Sequence, residues 1–232
     1  MNEVRIIPIQ GIPEIKVNDN LAEITFDILS QSEVGIKKND IFVVTQKIVS
    51  KSEGMERDLS IFNFEELLQN ESKKIIRKRG DLVIAKTKHG FICANAGIDK
   101  SNVKQNTALL LPEDPNKSAN KFRKKFESLA NLPIAVIISD TFGRAWRKGQ
   151  VNFAIGSSGI NPIDSYIGEI DSFNNELNAT EIAVIDELAS AAELVMKKTI
   201  DIPISIIRGY DYQNSKLNAQ ELIRDDNEDF FL

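Results

Sequence analysis

The sequence predicts a mixed α/β or α+β fold, in which a mixed β-sheet packs against helices. Apolar, β-branched runs typical of buried strands alternate with segments of helical periodicity along the 232 residues. In residues 80–100 and 149–171, however, strand-like runs follow one another with no helix between them. That arrangement disfavours a simple doubly wound parallel sheet. Because the chain shows no internal repeat and no convincing linker, we treat residues 1–232 as a single unit, with two interleaved subdomains as the alternative.

The same patterns predict the individual elements. Strands are predicted at residues 4–9, 40–44, 82–85, 91–94, 133–138 and 202–207. Helices are predicted from Asp19 or Asn20 to about 32, from 64 to about 78 after an Asn63 cap, from a Ser118 cap onward, and from Thr180 or Glu181 to about 197. The basic run at residues 73–79 is interpreted as the solvated end of the second helix. Residues from about 221 to 232 are predicted to form an acidic, loosely ordered tail.

Composition and charge exclude several classes of protein. The net charge of -5 gives no reason to expect nucleic acid or an anionic membrane as a partner. The single cysteine, Cys93, rules out an internal disulfide, and the single histidine, His89, excludes a His-rich zinc site or a His-based triad elsewhere. No apolar run approaches the roughly 20 residues of a membrane span, and the N-terminus lacks the pattern of a signal peptide. We therefore expect a cytoplasmic protein.

Residues 139–150 carry the strongest indication of chemistry. Asp140 and the hydroxyl group of Thr141 follow an apolar strand, and Arg144, Arg147 and Lys148 come within eight residues of the aspartate. Hard oxygen ligands beside fixed positive charge suit a divalent cation that is bound to phosphate oxygens. The alternative is the polar end of an ordinary strand followed by a turn.

Three further segments are candidates, and each has a structural alternative. Asp99 follows a second apolar run and can converge with Asp140 on Mg²⁺ or Mn²⁺, or it can form an Asx turn. Lys47 and Lys51 lie just beyond a strand and can act as point charges on phosphates, or they can be a solvated strand end. The turn in residues 10–16 can form one wall of a purine pocket, or it is only a turn. Neither a Walker A loop nor a dinucleotide glycine fingerprint is present.

Taken together, seven segments resemble one family, the coenzyme F-420:L-glutamate ligases, which are also called coenzyme F-420-0 gamma-glutamyl ligases. The matching segments are residues 11–16, 43–51, 89–91 with 95–103, 110–115, 139–150, 154–156, and 186–189 with 193–196. The resemblance runs from about residue 6 to Gly209. No single motif is decisive, but the common order of all seven is hard to explain otherwise. It favours a metal ligand over a turn residue at Asp140.

The resemblance implies a GTP- and divalent-metal-dependent ligase of coenzyme F-420 biosynthesis. Such enzymes add L-glutamate to the deazaflavin precursor coenzyme F-420-0 through an acyl phosphate, and then add a further glutamate through a γ-linkage. The resemblance also implies small-molecule substrates, Mg²⁺ or Mn²⁺ as the metal, and a homodimer with the nucleotide site near its interface. It leaves open whether K⁺ is required and whether GTP excludes ATP.

Position by position, the resemblance implies roles for individual residues. It implies that the metal is held by Asp99, Asp140 and Thr141. It implies GTP contacts from Ile12, Pro13, Glu14, Ile15, Gln46, Lys47, Lys51 and Asn102, with residues 196–203 also bordering the nucleotide. For catalysis it points to Asp140, to Lys51 as a neutralising charge, and to Arg144, Arg147 or Lys148 as a cation for a substrate carboxylate or phosphodiester.

The chain departs from the family pattern at several positions. Ala145 stands where many relatives have Pro, and the usual Gly after Met196 is missing. Lys198 stands where some relatives offer a carboxylate to the metal, so a second metal ion is expected to be held by Asp201 or by water. Three alternatives stay open: another NTP-dependent amide ligase, a metal-dependent nucleotide phosphohydrolase, and a non-catalytic nucleotide-binding module.

Overall fold

The computed structural model describes residues 3–100 and 105–230. Within these ranges the strands are β1 Arg5–Pro8, β2 Ile41–Thr45, β3 Glu56–Asp58, β4 Ser72–Arg79, β5 Leu82–Thr87, β6 Ile92–Ala94, β7 Thr107–Leu109, β8 Ala135–Arg144, β9 Arg147–Ser158, β10 Asp164–Ser165, β11 Glu181–Ile182 and β12 Ile204–Arg208. The α-helices are α1 Leu21–Ser30, α2 Gln46–Ser52, α3 Phe64–Glu71, α4 Pro115–Ala130 and α5 Val184–Met196. Two short 3-10 helices are η1 Asn95–Gly97 and η2 Ala219–Leu222.

A five-stranded mixed sheet forms the centre of the fold, in the strand order β1-β12-β2-β8-β9. Strands β2 and β8 run parallel, and the other neighbouring pairs of this sheet are antiparallel. Strand β2 and the first half of β8 are buried apolar runs, which is typical of parallel strands covered on both faces. The register pairs Thr45 with Ser139, so the chain leaves β2 beside the middle of β8. The mixed sheet predicted from the sequence is confirmed.

Helices cover both faces of this sheet. On one face, α1 and α4 pack their apolar sides against the sheet, where the rings of Phe42 and Phe126 have centroids 4.6 Å apart. On the other face lies α5, whose Ile185 and Ala189 are fully buried. Burial of large apolar side chains on both faces is the main stabilising contribution to this arrangement. The same packing fixes the positions of α2, α5 and β8 relative to one another.

Three smaller sheets surround the central one: β4-β5-β6, β3-β7 and β10-β11. Near the C-terminus, Asp226 forms an ion pair with Lys86 of β5. The loose tail expected for residues 221–232 stays a prediction. Among the described residues, no helix is both long and apolar enough to cross a lipid bilayer.

The predicted helix over residues 64–78 is wrong in its second half. Asn63 caps α3 as expected, with its side chain accepting from the N–H groups of Glu65 and Glu66. The helix ends at Glu71, however, and residues 72–79 form β4, which pairs with β5. A helix over the basic run would place Lys and Arg on every side and stack like charges one turn apart. An exposed edge strand accommodates the same charges, and charged side chains there discourage pairing with other chains.

Two helix starts also differ from the prediction. Helix α4 begins at Pro115, because Asp114 rather than Ser118 is the cap and accepts a hydrogen bond from the N–H of Lys117. Proline at the first helical position is favoured, since its missing N–H would have no partner there. Helix α5 begins at Val184, because Glu181 and Ile182 pair with β10 as a short strand.

Candidate active site

A cleft of about 910 Å³ opens at one edge of the central sheet. Its walls come from the turn at residues 12–15, the start of α2, the segment around η1 and Asp99, the middle of β8, and the connection from α5 to β12. The volume is in the range of pockets that hold a small-molecule ligand. Most of the residues that the sequence singled out therefore lie around one space.

Asp140 lies inside β8 rather than at its end. The strand continues to Arg144 and stays paired with β9. Just before Asp140 the register shifts, leaving Ile155 as an extra residue on β9. A bulge of this kind bends a strand and re-aims the side chains next to it. The expectation that Asp140 follows the end of a strand is therefore wrong, and a bulge next to the cleft takes the place of the strand end.

The Asp140 carboxyl group holds its proton more tightly than an ordinary aspartate. Its pKa is raised to about 7, chiefly because the surrounding protein desolvates it and also because Asp99 adds negative charge. The main-chain N–H of Thr141 and the charges of Lys47 and Lys198 act in the opposite direction. A carboxyl group with a strongly shifted pKa, beside a second carboxylate in a cleft, is typical of a functional site.

Helix α2 presents two lysines to the cleft. Lys47 and Lys51 lie one turn apart and therefore on the same face of the helix. The Nζ of Lys47 lies 2.8 Å from Oδ2 of Asp99, and the Nζ of Lys51 lies 2.7 Å from Oε1 of Glu14. Thr45 caps the helix, because its Oγ1 accepts a hydrogen bond from the N–H of Lys47. Two positive charges are thus held by a short, capped element directly after β2.

Gln46 faces away from the cleft. It is fully buried, and its Oε1 accepts a hydrogen bond from Oγ of Ser50 at 2.9 Å. Since residues four apart share a helix face, Gln46 and Ser50 face the core while Lys47 and Lys51 face the cleft. The structure therefore does not bring the Gln46 side chain together with the lysines, and its expected contact with GTP stays a prediction.

The turn before α1 forms the opposite wall. Ile12, Pro13, Glu14 and Ile15 all line the cleft, as expected from the resemblance. Gly11 before them has a φ of +82°, a conformation that glycine adopts at little steric cost. The apolar side chains in this turn provide a surface against which a flat ring can pack.

Asp99 follows a strained turn. Asn95 and Ala96 have φ values of 50° and 52°; Asn tolerates this left-handed conformation, whereas for Ala96 it costs about 1–2 kcal/mol. The main-chain groups of Asp99 then pair with Leu109 through hydrogen bonds of 2.9 and 2.8 Å. Backbone strain of this kind is found most often at functional sites. Here the turn and the pairing together fix the position of the Asp99 carboxylate in the cleft.

Asp99 and Asp140 give the cleft two carboxylates that interact electrostatically. In the part of the chain that the structure describes, no group of three or more His, Cys, Asp or Glu side chains could hold a metal ion. Mg²⁺, however, is usually bound by one or two carboxylates together with substrate phosphates and water. The donor set therefore fits a divalent ion that binds together with a phosphate ligand.

A closed ring of polar contacts lies beside the two carboxylates and includes two residues that the sequence analysis missed. Thr141 Oγ1 donates to Asn152 Oδ1 at 2.7 Å and accepts a hydrogen bond from Lys198 Nζ at 2.7 Å. Asn152 Nδ2 donates to Glu193 Oε2 at 3.0 Å, and Glu193 Oε1 forms an ion pair of 3.0 Å with Lys198 Nζ. Asn152 and Glu193 both line the cleft, although neither was predicted to have a role in it.

Other predicted residues do not line the cleft. Arg144 lies at the end of β8, and its Nη2 donates to the main-chain oxygen of Lys148 at 2.8 Å. Neither of these residues, nor Arg147, is among those that form the cleft walls. Asn102 lies outside the described residues. The cation expected for a substrate carboxylate therefore stays a prediction.

Cys93 and His89 have structural contacts. Cys93 is buried, and desolvation raises the pKa of its thiol to about 12, so the thiolate is not a nucleophile at neutral pH. The Nε2 of His89 lies 2.9 Å from the main-chain oxygen of Pro112 and 3.1 Å from that of Glu113. Cys93 is thus a small buried residue in the cleft wall, and the His89 side chain lies against the loop before α4.

Comparison with known proteins decides the family. The family model described as F420-0:Gamma-glutamyl ligase matches residues 10–209. The chain belongs to this family. Every wall of the cleft, from Ile12 to Pro203, lies inside the matched region of the F420-0:gamma-glutamyl ligase family.

Individual relatives in this family match over nearly their whole length. The coenzyme F420:L-glutamate ligase of Methanothermobacter thermautotrophicus is 38% identical over 225 residues, which cover 89% of this chain and 89% of the relative. That of Methanocaldococcus jannaschii is 39% identical, with 84% and 86% covered, and that of Archaeoglobus fulgidus is 36% identical, with 97% and 95% covered. The resemblance inferred from seven ordered segments is confirmed.

Proposed function

We propose that the protein is a GTP- and divalent-metal-dependent ligase that adds L-glutamate to the deazaflavin precursor coenzyme F-420-0, and then a further glutamate through a γ-linkage. One observation carries the proposal: a single cleft brings the carboxylates of Asp99 and Asp140 together with Lys47 and Lys51. The substrate is taken from the relatives, which are named coenzyme F420:L-glutamate ligases.

Joining a carboxylate to an amine in water is uphill, so the carboxylate must first be activated. In the proposed reaction a carboxylate oxygen of the precursor attacks the γ-phosphorus of GTP, and GDP leaves. The amine of glutamate then attacks the carbonyl carbon of the acyl phosphate, loses a proton, and inorganic phosphate leaves. Phosphoryl transfer of this kind depends on positioning and on electrostatic stabilisation more than on covalent chemistry by the protein.

The residues of the cleft fit these tasks. Asp99 and Asp140 would hold a divalent cation, which when bound neutralises charge on the phosphate oxygens. Lys47 and Lys51 place two ammonium groups one helical turn apart, where they can exchange their carboxylate partners for phosphate oxygens. Thr141 is the remaining candidate ligand, and its hydroxyl group is held by Lys198.

Two further parts of the proposal concern a cation for the substrate and the oligomeric state. Arg144 is kept as a candidate for binding a substrate carboxylate, because it directly follows Gly143, which lines the cleft. A homodimer is also proposed, supported by an aromatic side chain, Trp146, that is exposed at the tip of the β8–β9 hairpin.

One assay separates this proposal from the alternatives. The purified protein is incubated with GTP, Mn²⁺, L-glutamate and coenzyme F-420-0, and the products are identified by mass. We expect GDP together with a product heavier by one glutamate residue, and both only when acceptor and glutamate are present. GDP formed in their absence would indicate a phosphohydrolase. No turnover with any combination would indicate a nucleotide-binding module.

Replacing Asp140 by Asn tests the metal assignment. Asp140→Asn keeps the size of the side chain but removes its negative charge, so we expect ligation to fall by at least about 100-fold while the fold is kept. Turnover is followed by GDP release, and folding by circular dichroism. Asp27→Asn, which removes an exposed carboxylate from α1, is the matched control and should retain turnover. Near-normal turnover by Asp140→Asn would defeat the assignment.

A further inference from the structure

We propose that Lys198 supplies a built-in cation to the cleft. Its ammonium group occupies an oxygen cage, formed by Thr141, Asn152 and Glu193, that would otherwise hold a divalent ion. The inference rests on the proposed function, because the cage lies in the same cleft as Asp140. It makes Asn152 and Glu193 positioning residues for the lysine.

The cage offers the ligand types of a hard cation. Lys198 Nζ lies 2.7 Å from the hydroxyl oxygen of Thr141, 3.0 Å from a carboxylate oxygen of Glu193 and 3.4 Å from the amide oxygen of Asn152. Hydroxyl, carboxylate and amide oxygens are what Mg²⁺ and Ca²⁺ take as protein ligands. An ammonium group presents three N–H donors and therefore matches the same three oxygens.

The oxygens are held in place by contacts that do not involve Lys198. Asn152 is nearly fully buried in β9, and its main-chain oxygen accepts a hydrogen bond from Oγ of Ser190 in α5 at 2.7 Å. Its Nδ2 donates to the second carboxylate oxygen of Glu193, and its Oδ1 accepts from Thr141. Three side chains on two packed strands and a helix are thus oriented by one another. Such support fixes a cation site before the cation arrives.

The chain changes direction so that the lysine side chain reaches this cage. Helix α5 ends at Met196, and Lys197 has φ 50° and ψ -167°, a region occupied almost only by glycine. Lys198 follows directly and is 54% exposed at its side chain, yet its head contacts β8, β9 and α5. A strained residue immediately before an exposed lysine with three polar contacts indicates that the fold holds this lysine in a defined position.

A fixed lysine changes the number of metal ions the cleft needs. The ammonium group places one positive charge beside Thr141, where a divalent ion would place two. It also engages the Thr141 hydroxyl group and the Glu193 carboxylate. A metal ion bound with a nucleotide would therefore be held by Asp99 and Asp140. The chain should therefore bind fewer divalent ions with a nucleotide than a variant in which the lysine is removed.

Counting bound Mn²⁺ tests this. Wild type and Lys198→Glu are dialysed against Mn²⁺ with a non-hydrolysable GTP analogue, and bound Mn²⁺ per chain is measured by electron paramagnetic resonance. We expect Lys198→Glu to bind one Mn²⁺ more than wild type, since it opens the cage and adds a ligand. The neutral variant Lys198→Gln should also bind the extra ion, with weaker affinity. Equal counts in wild type and both variants would overturn the proposal.

Two controls locate the extra ion. Lys124→Glu makes the same charge change on the exposed side of α4 and should leave the count at the wild-type value. The double variant Lys198→Gln with Glu193→Gln should lose the extra ion, because the cage then lacks a carboxylate. If the double variant retains it, the cage assignment is overturned. Counting bound Mn²⁺ requires neither glutamate nor the deazaflavin. If the counts are as expected but wild type shows no ligation, only the proposed function is contradicted.

Discussion

Three lysines of the cleft are each paired with a carboxylate. The pairs are Lys47 with Asp99, Lys51 with Glu14 and Lys198 with Glu193. Ion pairs that are partly exposed contribute only about 0–1 kcal/mol, because water and salt screen them. Exchanging a carboxylate for a phosphate therefore costs little. The same pairs keep the cleft close to neutral before any ligand binds.

A partly buried carboxylate outside the cleft makes stability depend on pH. Asp186 in α5 accepts a hydrogen bond from the N–H of Ala154 at 2.8 Å, yet desolvation raises the pKa of its carboxyl group from 3.8 to about 6. Between those pH values the folded protein holds a proton that the unfolded chain has released. This contribution therefore lowers the free energy of unfolding as pH rises from about 4 to about 6.

Asp186→Asn should remove this dependence. Asn keeps an oxygen that can accept from Ala154 but does not titrate, so the variant should gain about 2 kcal/mol over wild type between pH 4 and pH 7. Urea unfolding at several pH values measures the difference. Glu187→Gln, at the exposed neighbouring position, should show no such trend. A difference between Asp186→Asn and wild type that does not change with pH would contradict the shifted pKa.

The two missed residues of the cleft differ in how visible they are from sequence. Glu193 lies in the last turn of α5, where a negative charge is disfavoured by the helix dipole. A carboxylate at such a position of a helix is a signal of a specific partner. Asn152 has no comparable signal, because the residues around it predict only an ordinary strand. Its contacts with Thr141 and Glu193 depend on the pairing of β8 with β9 and on the packing of α5.

At the level of elements, prediction succeeded where one face of an element is buried. A helix starting at Asp19 or Asn20 was predicted, and α1 is capped by Asn20, whose side chain accepts a hydrogen bond from the N–H of Glu23. Residues 72–79 were missed because Lys and Arg favour helices locally, whereas their strand state depends on β5. Residues 46–52 were not predicted as a helix, because the segment is short and contains β-branched residues.

A close contact between two elements can be tested at Gly156. A Cβ atom at this position of β9 would lie 2.4 Å from the main-chain oxygen of Pro115, at the start of α4. Backbone cannot move aside as a flexible side chain can, so Gly156→Ala should push α4 away from the sheet. We expect a loss of about 1–3 kcal/mol in the free energy of unfolding, measured with urea.

Gly143 provides the matched control for this change. It lies in β8, and a Cβ atom there would meet nothing within 4 Å. Gly143→Ala should therefore be neutral or slightly stabilising, by up to about 1 kcal/mol, because it restricts the unfolded chain. Equal effects of the two substitutions would show that strand glycines matter here for their flexibility and not for the contact with α4.

For the whole molecule, the cleft depends on topology more than on any motif. Parallel pairing of β2 with β8 places the start of α2 beside Asp140, and the return of the chain through α5 and β12 adds Lys198 and Glu193. The convergence of Asp99 with Asp140 was predicted from two apolar runs that lead into them. The ring around Lys198 was not, since it joins strands and a helix whose relative positions follow only from the packed fold.

The β8–β9 hairpin is where we expect a second copy of the chain to bind. Trp146 at its tip is 86% exposed and has a φ of 64°, which is unusual for a bulky residue. Exposed aromatic side chains are enriched in protein interfaces, where they contribute much of the binding energy. Because β8 also carries Asp140, a partner at this hairpin would lie close to the cleft.

Trp146→Ser should therefore weaken the proposed homodimer. Sedimentation at several concentrations should give wild type twice the chain mass of 26.0 kDa, and should give the variant a mass that falls toward the chain mass on dilution. Phe230→Ser is the matched control, since Phe230 is 88% exposed but lies near the C-terminus, and it should behave as wild type. A wild-type mass equal to one chain would exclude the homodimer. Loss of a buried aromatic anchor typically costs about 2 kcal/mol or more, which is roughly 30-fold in the dissociation constant. If wild type is a dimer and Trp146→Ser also stays dimeric on dilution, the interface therefore lies elsewhere.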